Sequence, residues 1–107
     1  MGVPRRDVFT VVADPTRRRI LDLLRERELT VTELVTRLRT AQPNVSKHLR
    51  VLGEAELVTI RVDGPRRHYA LAPDGLRDLE GWLAPYRRAW AERLDALEAH
   101  LDQMPDT

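Results

Sequence analysis

Two helix starts in close succession constrain this chain more than any other feature. Thr30-Val31-Thr32-Glu33 has the capping-box pattern, in which the Thr30 hydroxyl serves the Glu33 N–H and the Glu33 carboxylate reaches back to the Thr30 N–H. Val31, Leu34, Val35 and Leu38 follow at helical spacing, and the pattern stops near Arg39-Thr40. Gln42-Pro43 then opens another helix, with the proline in the first turn where a missing N–H costs nothing. Two helices joined by three or four residues make a helix-turn-helix, whose second helix is the one offered to a DNA groove.

That second helix has a divided surface. At about 100° per residue, Val45, Leu49 and Leu52 form one narrow apolar face, and Pro43, Ser46, Lys47 and Arg50 lie opposite. Gln42 and Asn44 suit adenine edges, Lys47 and Arg50 suit guanine or phosphate, and Ser46 suits either. A lone helix with such a face is most simply a solvated one. Here a capped helix precedes it and a basic hairpin follows, which favours nucleic acid.

The hairpin shows as a change of period. From Leu57 onward Val58, Ile60 and Val62 alternate with Thr59, Arg61 and Asp63 up to an Asp63-Gly64 turn, and a second strand returns through Arg66, Arg67, His68, Tyr69, Ala70 and Leu71. Pro65 directly after the turn is expected to distort it or lengthen the loop. Upstream, Asp7 caps a short helix containing Val8, Phe9, Val11 and Val12, and Asp14-Pro15 starts the next, with Ile20, Leu21 and Leu24 on one face. Arg17, Arg18 and Arg19 crowd the first turn of that helix and oppose its dipole. A phosphate partner and simple solubility explain them equally well.

Downstream, Leu76, Leu79, Leu83, Tyr86, Trp90, Leu94, Leu97, Leu101 and Met104 recur every three or four residues. Pro85 interrupts the stripe and predicts a kink near residues 81–85. A chain of 107 residues has too little core to bury such a stripe and Trp82 beside it, so a symmetric dimer is the economical solution. Its expected interface is Phe9, Leu79, Trp82, Leu83, Tyr86, Trp90, Leu94 and Leu97. The spacing of Trp82, Tyr86 and Trp90 also fits the lining of a pocket for an apolar effector, although plain dimer core is the more common use of such a stripe.

The expected architecture is mainly α with a β-hairpin wing. One domain covers residues 1–107, with the helix-turn-helix at about 30–53, the wing at about 57–72 and a C-terminal dimerisation helix at about 74–104. Apolar residues at 42% and charged residues at 33% describe a globular chain, and no run approaches the length of a membrane span. The N-terminal stretch lacks the apolar core of a secretory signal, so the expected location is the cytoplasm. The absence of cysteine removes disulfides, thiolate metal sites and cysteine nucleophiles. With no Gly-rich phosphate loop, no HExxH and no nucleophile beside a base, the sequence predicts no catalytic residue and no enzyme. The net charge of +1 conceals a gradient: residues 1–29 carry +2, residues 30–73 carry +3 and residues 74–107 carry −4, so an anionic partner is expected at the middle.

At this point the sequence resembles a family. Asp14-Pro15-Thr16-Arg17-Arg18-Arg19-Ile20-Leu21, Gln42-Pro43 with Val45-Ser46-Lys47-His48-Leu49, and Asp63-Gly64 with Arg67-His68-Tyr69 resemble the ArsR/SmtB-type winged helix-turn-helix repressors. Trp82-Leu83-Ala84-Pro85-Tyr86-Arg87-Arg88 with Trp90 is similar to a branch of that family without thiolate sites. The resemblance implies a homodimer joined by its first and last helices, with recognition helices in successive major grooves of a palindromic double-stranded operator and wings beside the minor groove. It implies repression by promoter occupancy, ended by a signal that the sequence does not identify. DNA contacts are expected from Gln42, Asn44, Ser46, Lys47, His48, Arg50, Arg61, Arg66 and Arg67.

The departures are local. Where the family has Gly, an apolar residue and Ser before Gln-Pro, this chain has Arg39, Thr40 and Ala41, and the lost Ser cap costs about 1 kcal/mol unless Thr40 replaces it. The cysteine pair of some members would fall at Val35 and Arg37, neither of which binds metal. Of the histidines, His48 and His68 are read as DNA-facing or packing residues. His100, amid the acids of the last helix, lacks a ligand at the spacing a helical zinc pair needs. Across a dimer interface it could still join the partner's carboxylates in a nickel or zinc site, which makes a metal-responsive repressor the second reading. No cofactor is otherwise expected. A third reading, a winged-helix protein-interaction module, would have no use for the basic helix face.

Overall fold

The structure, a computed structural model, describes residues 6–105, so the outermost ends of the expected domain lie outside the described residues. Five helices and three strands follow in the order α1 (Val8–Val12), α2 (Pro15–Glu26), β1 (Leu29–Thr30), α3 (Val31–Leu38), α4 (Gln42–Glu54), β2 (Val58–Asp63), β3 (Arg66–Leu71) and α5 (Pro73–Asp102). This is the expected winged helix-turn-helix, with one addition. The sheet has three antiparallel strands in the order β1-β3-β2, and Leu29 and Thr30 pair with Tyr69 and His68. The two residues of β1 seal the inner edge of the wing onto the core, burying Leu29 against Tyr69.

The helix starts obey their caps. Phe9 N–H donates to Asp7 Oδ1 at 3.1 Å, Arg17 N–H to Asp14 Oδ1 at 3.0 Å and Glu33 N–H to Thr30 Oγ1 at 3.2 Å. Glu33 Oε1 accepts from Thr30 N–H at 3.1 Å, which closes the capping box. The start of α4 differs. Its N-cap Ala41 offers no side-chain acceptor, and Thr40 spends its hydroxyl on Leu38 O at 3.2 Å, so Thr40 does not replace the missing cap. Arg39 ends α3 in the left-handed region (φ 54°) and donates its N–H to Val35 O.

The crowded arginines of α2 have a use that neither solubility nor phosphate supplies. Arg17 Nε donates to Val11 O at 2.7 Å, and Arg18 Nη1 donates to Val12 O at 2.8 Å and Ala13 O at 3.0 Å. Two cations thus cap the C-terminal carbonyls of α1, the helix end that favours positive charge. The unfavourable position on α2 is a favourable one on α1.

The core is built from Val8 and Val11 of α1, Ile20 and Leu24 of α2, Leu34 and Leu38 of α3, Val45, Leu49 and Leu52 of α4, and Leu57, Val58 and Tyr69 around the sheet. The wing turn is tighter than Pro65 suggests. Asp63 still pairs with Arg66, leaving Gly64-Pro65 as a two-residue turn. Gly64 takes the positive φ (59°) that the first central position of a II′ turn requires, and proline's fixed negative φ suits the second.

The last helix leaves the core almost at once. Gly75 N–H donates to Glu56 O at 2.9 Å, and a Cβ on Gly75 would lie 2.5 Å from Ala55 O, so only glycine lets α5 dock here. Beyond that seam α5 runs as one element through Pro85 to Asp102. It has no buried residue other than Gly75 among those described. Thirty residues of helix span about 45 Å, which explains the extents of 67 × 40 × 22 Å. Even so, no helix among the described residues is long and apolar enough to cross a membrane.

Candidate nucleic-acid interface

The inner face of α4 is spent on the core, which forces the other face outward: Val45, Leu49 and Leu52 are buried, while Gln42, Asn44, Ser46, Lys47 and Arg50 are exposed. None of those five makes an ion pair among the described residues, so the cations and amides are available to a ligand. His48 is the exception on this helix. It is half-buried at the seam with α2, with Nδ1 at 3.4 Å from Arg17 Nη1.

The three wing arginines are not equivalent. Arg66 and Arg67 are exposed and without an ion pair among the described residues. Arg61 is tied to Glu28 by an ion pair that raises its guanidinium further above the ordinary range. The same hydrogen bond, above the other causes, holds the Glu28 carboxyl below its usual value. His68 sits between Thr30 and Arg61 in the sheet, with Nδ1 3.9 Å from Glu28 Oε1 and Nε2 4.0 Å from Asp63 Oδ2. Its Nε2 is buried without a hydrogen-bond partner, which makes His68 an interior residue of the wing. Sequence reasoning missed Glu28 and the second role of Arg17, because both act across elements far apart in the chain.

A cleft of about 520 Å³ separates the start of α4 from the wing, lined by Thr30 to Glu33, Gln42 and Pro65 to His68. It places Gln42, Arg66 and Arg67 on opposite walls of one groove. Glu33 also lines it, but its carboxylate is engaged by Thr30 N–H and by Arg27 Nη1 at 3.0 Å, which hold it below its ordinary pKa.

The dimer candidates lie on α1 and α5. Phe9 meets Trp82 edge to face at 5.7 Å between ring centroids, and Trp82 lies 4.9 Å from Tyr86. Phe9, Trp82, Leu83, Tyr86, Trp90, Leu94 and Leu97 are exposed, Trp90 by 59%, whereas Leu79 packs against the core. His100 stands exposed on the same helix, and among the described residues no group of three or more potential ligands stands close enough to hold a metal ion. At the positions of the family's cysteine pair, Val35 packs against the core and Arg37 is exposed, so the thiolate metal chemistry of some members does not fit this chain.

Comparison with known proteins bears on this arrangement. Residues 14–59 match the family profile described as bacterial regulatory protein, arsR family. The chain is 40% identical to the HTH-type transcriptional regulator Rv2034 of Mycobacterium tuberculosis over 98 residues, 92% of this chain and 89% of the relative. It is 34% identical to the transcriptional repressor SdpR of Bacillus subtilis over 77 residues, 72% of this chain and 86% of that protein. A solution structure of a homodimeric winged helix-turn-helix DNA-binding domain from Mycobacterium bovis superimposes with a TM-score of 0.63 at 25% identity, covering 82% of this chain and 90% of the other.

Proposed function

This chain belongs to the ArsR family of bacterial DNA-binding transcriptional regulators, and we propose that it works in the cytoplasm as a homodimeric repressor. The observation that carries the reading is the outward face of α4: two amides, a hydroxyl and two cations, all exposed, beside the free Arg66 and Arg67 of the wing. Gln42 and Asn44 present paired donor and acceptor groups to adenine, and Lys47 and Arg50 present donors to guanine O6 and N7 or to phosphate. Arg66 and Arg67 hold the backbone beside the minor groove. No residue has a catalytic role in this reading.

The surface area supports the dimer. A compact chain of 12.4 kDa exposes about 6,100 Å² by the usual scaling, whereas this one exposes 8140 Å². The excess is about 2,000 Å² on each protomer, or about 4,000 Å² for two, which lies within the range that obligate homodimers bury. Phe9, Trp82, Tyr86, Trp90 and Leu94 are among the large apolar side chains left exposed. Two-fold symmetry then sets two copies of α4 about one helical turn apart and calls for a palindromic operator. Repression follows from occupying a promoter, and a signal that disturbs the dimer or α4 ends it.

The test is a fluorescence-anisotropy titration against DNA from upstream of the protein's own gene, with a scrambled duplex as control. A preference of about a thousandfold is expected, and Lys47→Ala or Arg50→Ala should weaken operator binding about tenfold or more with the unfolding midpoint unchanged. Equal weak binding to both duplexes, or full affinity in both variants, would overturn the assignment.

A further inference from the structure

One side chain joins the helix that bears Phe9 to the helix that faces the operator. Arg17 is half-buried at the start of α2, its Nε donating to Val11 O at 2.7 Å and its Nη1 lying 3.4 Å from Nδ1 of His48 on α4. We propose that Arg17 is a positioning residue of the DNA interface, which holds His48 in the tautomer that carries its proton on Nε2. The proposal rests on the DNA-binding reading above.

A guanidinium offers five N–H donors, accepts nothing and does not lose its proton in a protein. The nitrogen of His48 that faces it must therefore accept, and in a neutral imidazole that leaves the proton on the other nitrogen. Arg17 cannot swing away freely, because Nε is anchored on Val11 O and its own backbone N–H is held by Asp14 Oδ1 at 3.0 Å. Nε2 of His48 has no hydrogen-bond partner among the described residues and is not fully buried, which leaves it open to a ligand.

The consequence is a rule for what His48 can touch. An outward Nε2–H donates to guanine N7 or O6, adenine N7, thymine O4 or a phosphate oxygen, and it does not accept from the N4 amino group of cytosine. A histidine in the opposite tautomer would do the reverse. Arg18 provides the internal control. It also caps α1, through Val12 O and Ala13 O, but makes no hydrogen bond to His48.

The experiment is a long-range proton–nitrogen correlation spectrum of the full chain labelled at histidine, recorded above neutral pH, with the His48 signals assigned from His48→Ala. Wild type and Arg18→Met should show a protonated Nε2 and a bare Nδ1, while Arg17→Met should show a mixture of tautomers. Arg17→Lys, which keeps the cation but not the fork, should also give the mixture and serves if Arg17→Met fails to fold. Operator affinity should fall about tenfold in either Arg17 variant, and no further when His48→Ala is added. A protonated Nδ1 in wild type, or an unchanged spectrum in both Arg17 variants, overturns the proposal while leaving DNA binding intact. A changed tautomer at full affinity overturns the positioning role. Absence of any specific duplex binding by wild type overturns the DNA reading and the positioning role with it, and the spectrum then reports only on the Arg17–His48 contact.

Discussion

The two ends of this molecule solve the burial problem differently. Between α2 and β3 nearly every long apolar side chain is enclosed: Ile20, Leu34, Leu52 and Leu57 have no measurable exposure. Ile60 and Val62 on the outer strand are the exceptions. In α5 the pattern inverts, and Trp82, Tyr86, Trp90, Leu94 and Leu97 are each more than half exposed. The same helical spacing is present in both regions. What differs is whether the chain supplies the opposing surface, so periodicity reports that a face must be covered and not which molecule covers it.

The comparison breaks first at the stripe. Trp90→Glu combined with Leu94→Glu puts two charges into the proposed interface. It should yield a monomer in sedimentation equilibrium and lower operator affinity about a hundredfold or more, since two linked half-sites become independent. The α2 to α4 core should still unfold cooperatively. A variant that remained dimeric would refute the assignment of this face.

A smaller effect is expected at the seam between the regions. Gly75→Ala drives a methyl into Ala55 O and Leu57, and overpacking of this kind costs about 1–3 kcal/mol. Urea unfolding should show the loss, and an unchanged midpoint would mean that the start of α5 is not rigidly docked.

Arg39 tests the enclosed region from the other direction. Its left-handed backbone (φ 54°) suits glycine, so Arg39→Gly should raise stability by about 1 kcal/mol. A fall in the thermal midpoint would show that the arginine side chain contributes more than its backbone costs. The smallest effect is at Glu33. Thr30 N–H and Arg27 hold its carboxyl below the ordinary 4.5, so its contribution is present above that pH and is lost as pH falls through the lowered folded value. Glu33→Gln should lower stability at neutrality, converge with wild type in acid, and so flatten the acid limb of the stability curve below about pH 4.5. A limb that kept its slope would assign the acid sensitivity to Asp7, Asp14 or Glu28, which are lowered too.

Local chemistry was legible in advance and cross-chain chemistry was not. Asp7, Asp14-Pro15, Thr30 to Glu33 and Gln42-Pro43 act on residues within one turn, so their helices stand where the sequence put them. The outward residues of α4 followed from the inward ones, because period and burial determine both. Strand β1 escaped notice because two residues carry no period, and its partners Tyr69 and His68 lie about forty positions on. Arg61 read as a free cation and His48 as a DNA-facing or packing residue without a named partner, because nothing near them in sequence reveals Glu28 or Arg17. Arg17 and Arg18 looked misplaced for the same reason: the acceptors that justify them are backbone carbonyls, which every sequence contains and none advertises.

The bond between Arg61 and Glu28 also decides how the wing takes part in ion exchange. If the pair stays closed, a polyanion meets a neutral couple. If a phosphate displaces the carboxylate, Glu28 draws a cation from solution as the phosphate sheds one, and the exchange cancels. Each wing therefore counts as Arg66 and Arg67 alone. Across two protomers this removes about two neutralised phosphates, and it flattens the dependence of log affinity on log salt by about 1.8. A contact confined to the surface of a single subunit thus sets part of the ionic-strength response of any complex the wings enter.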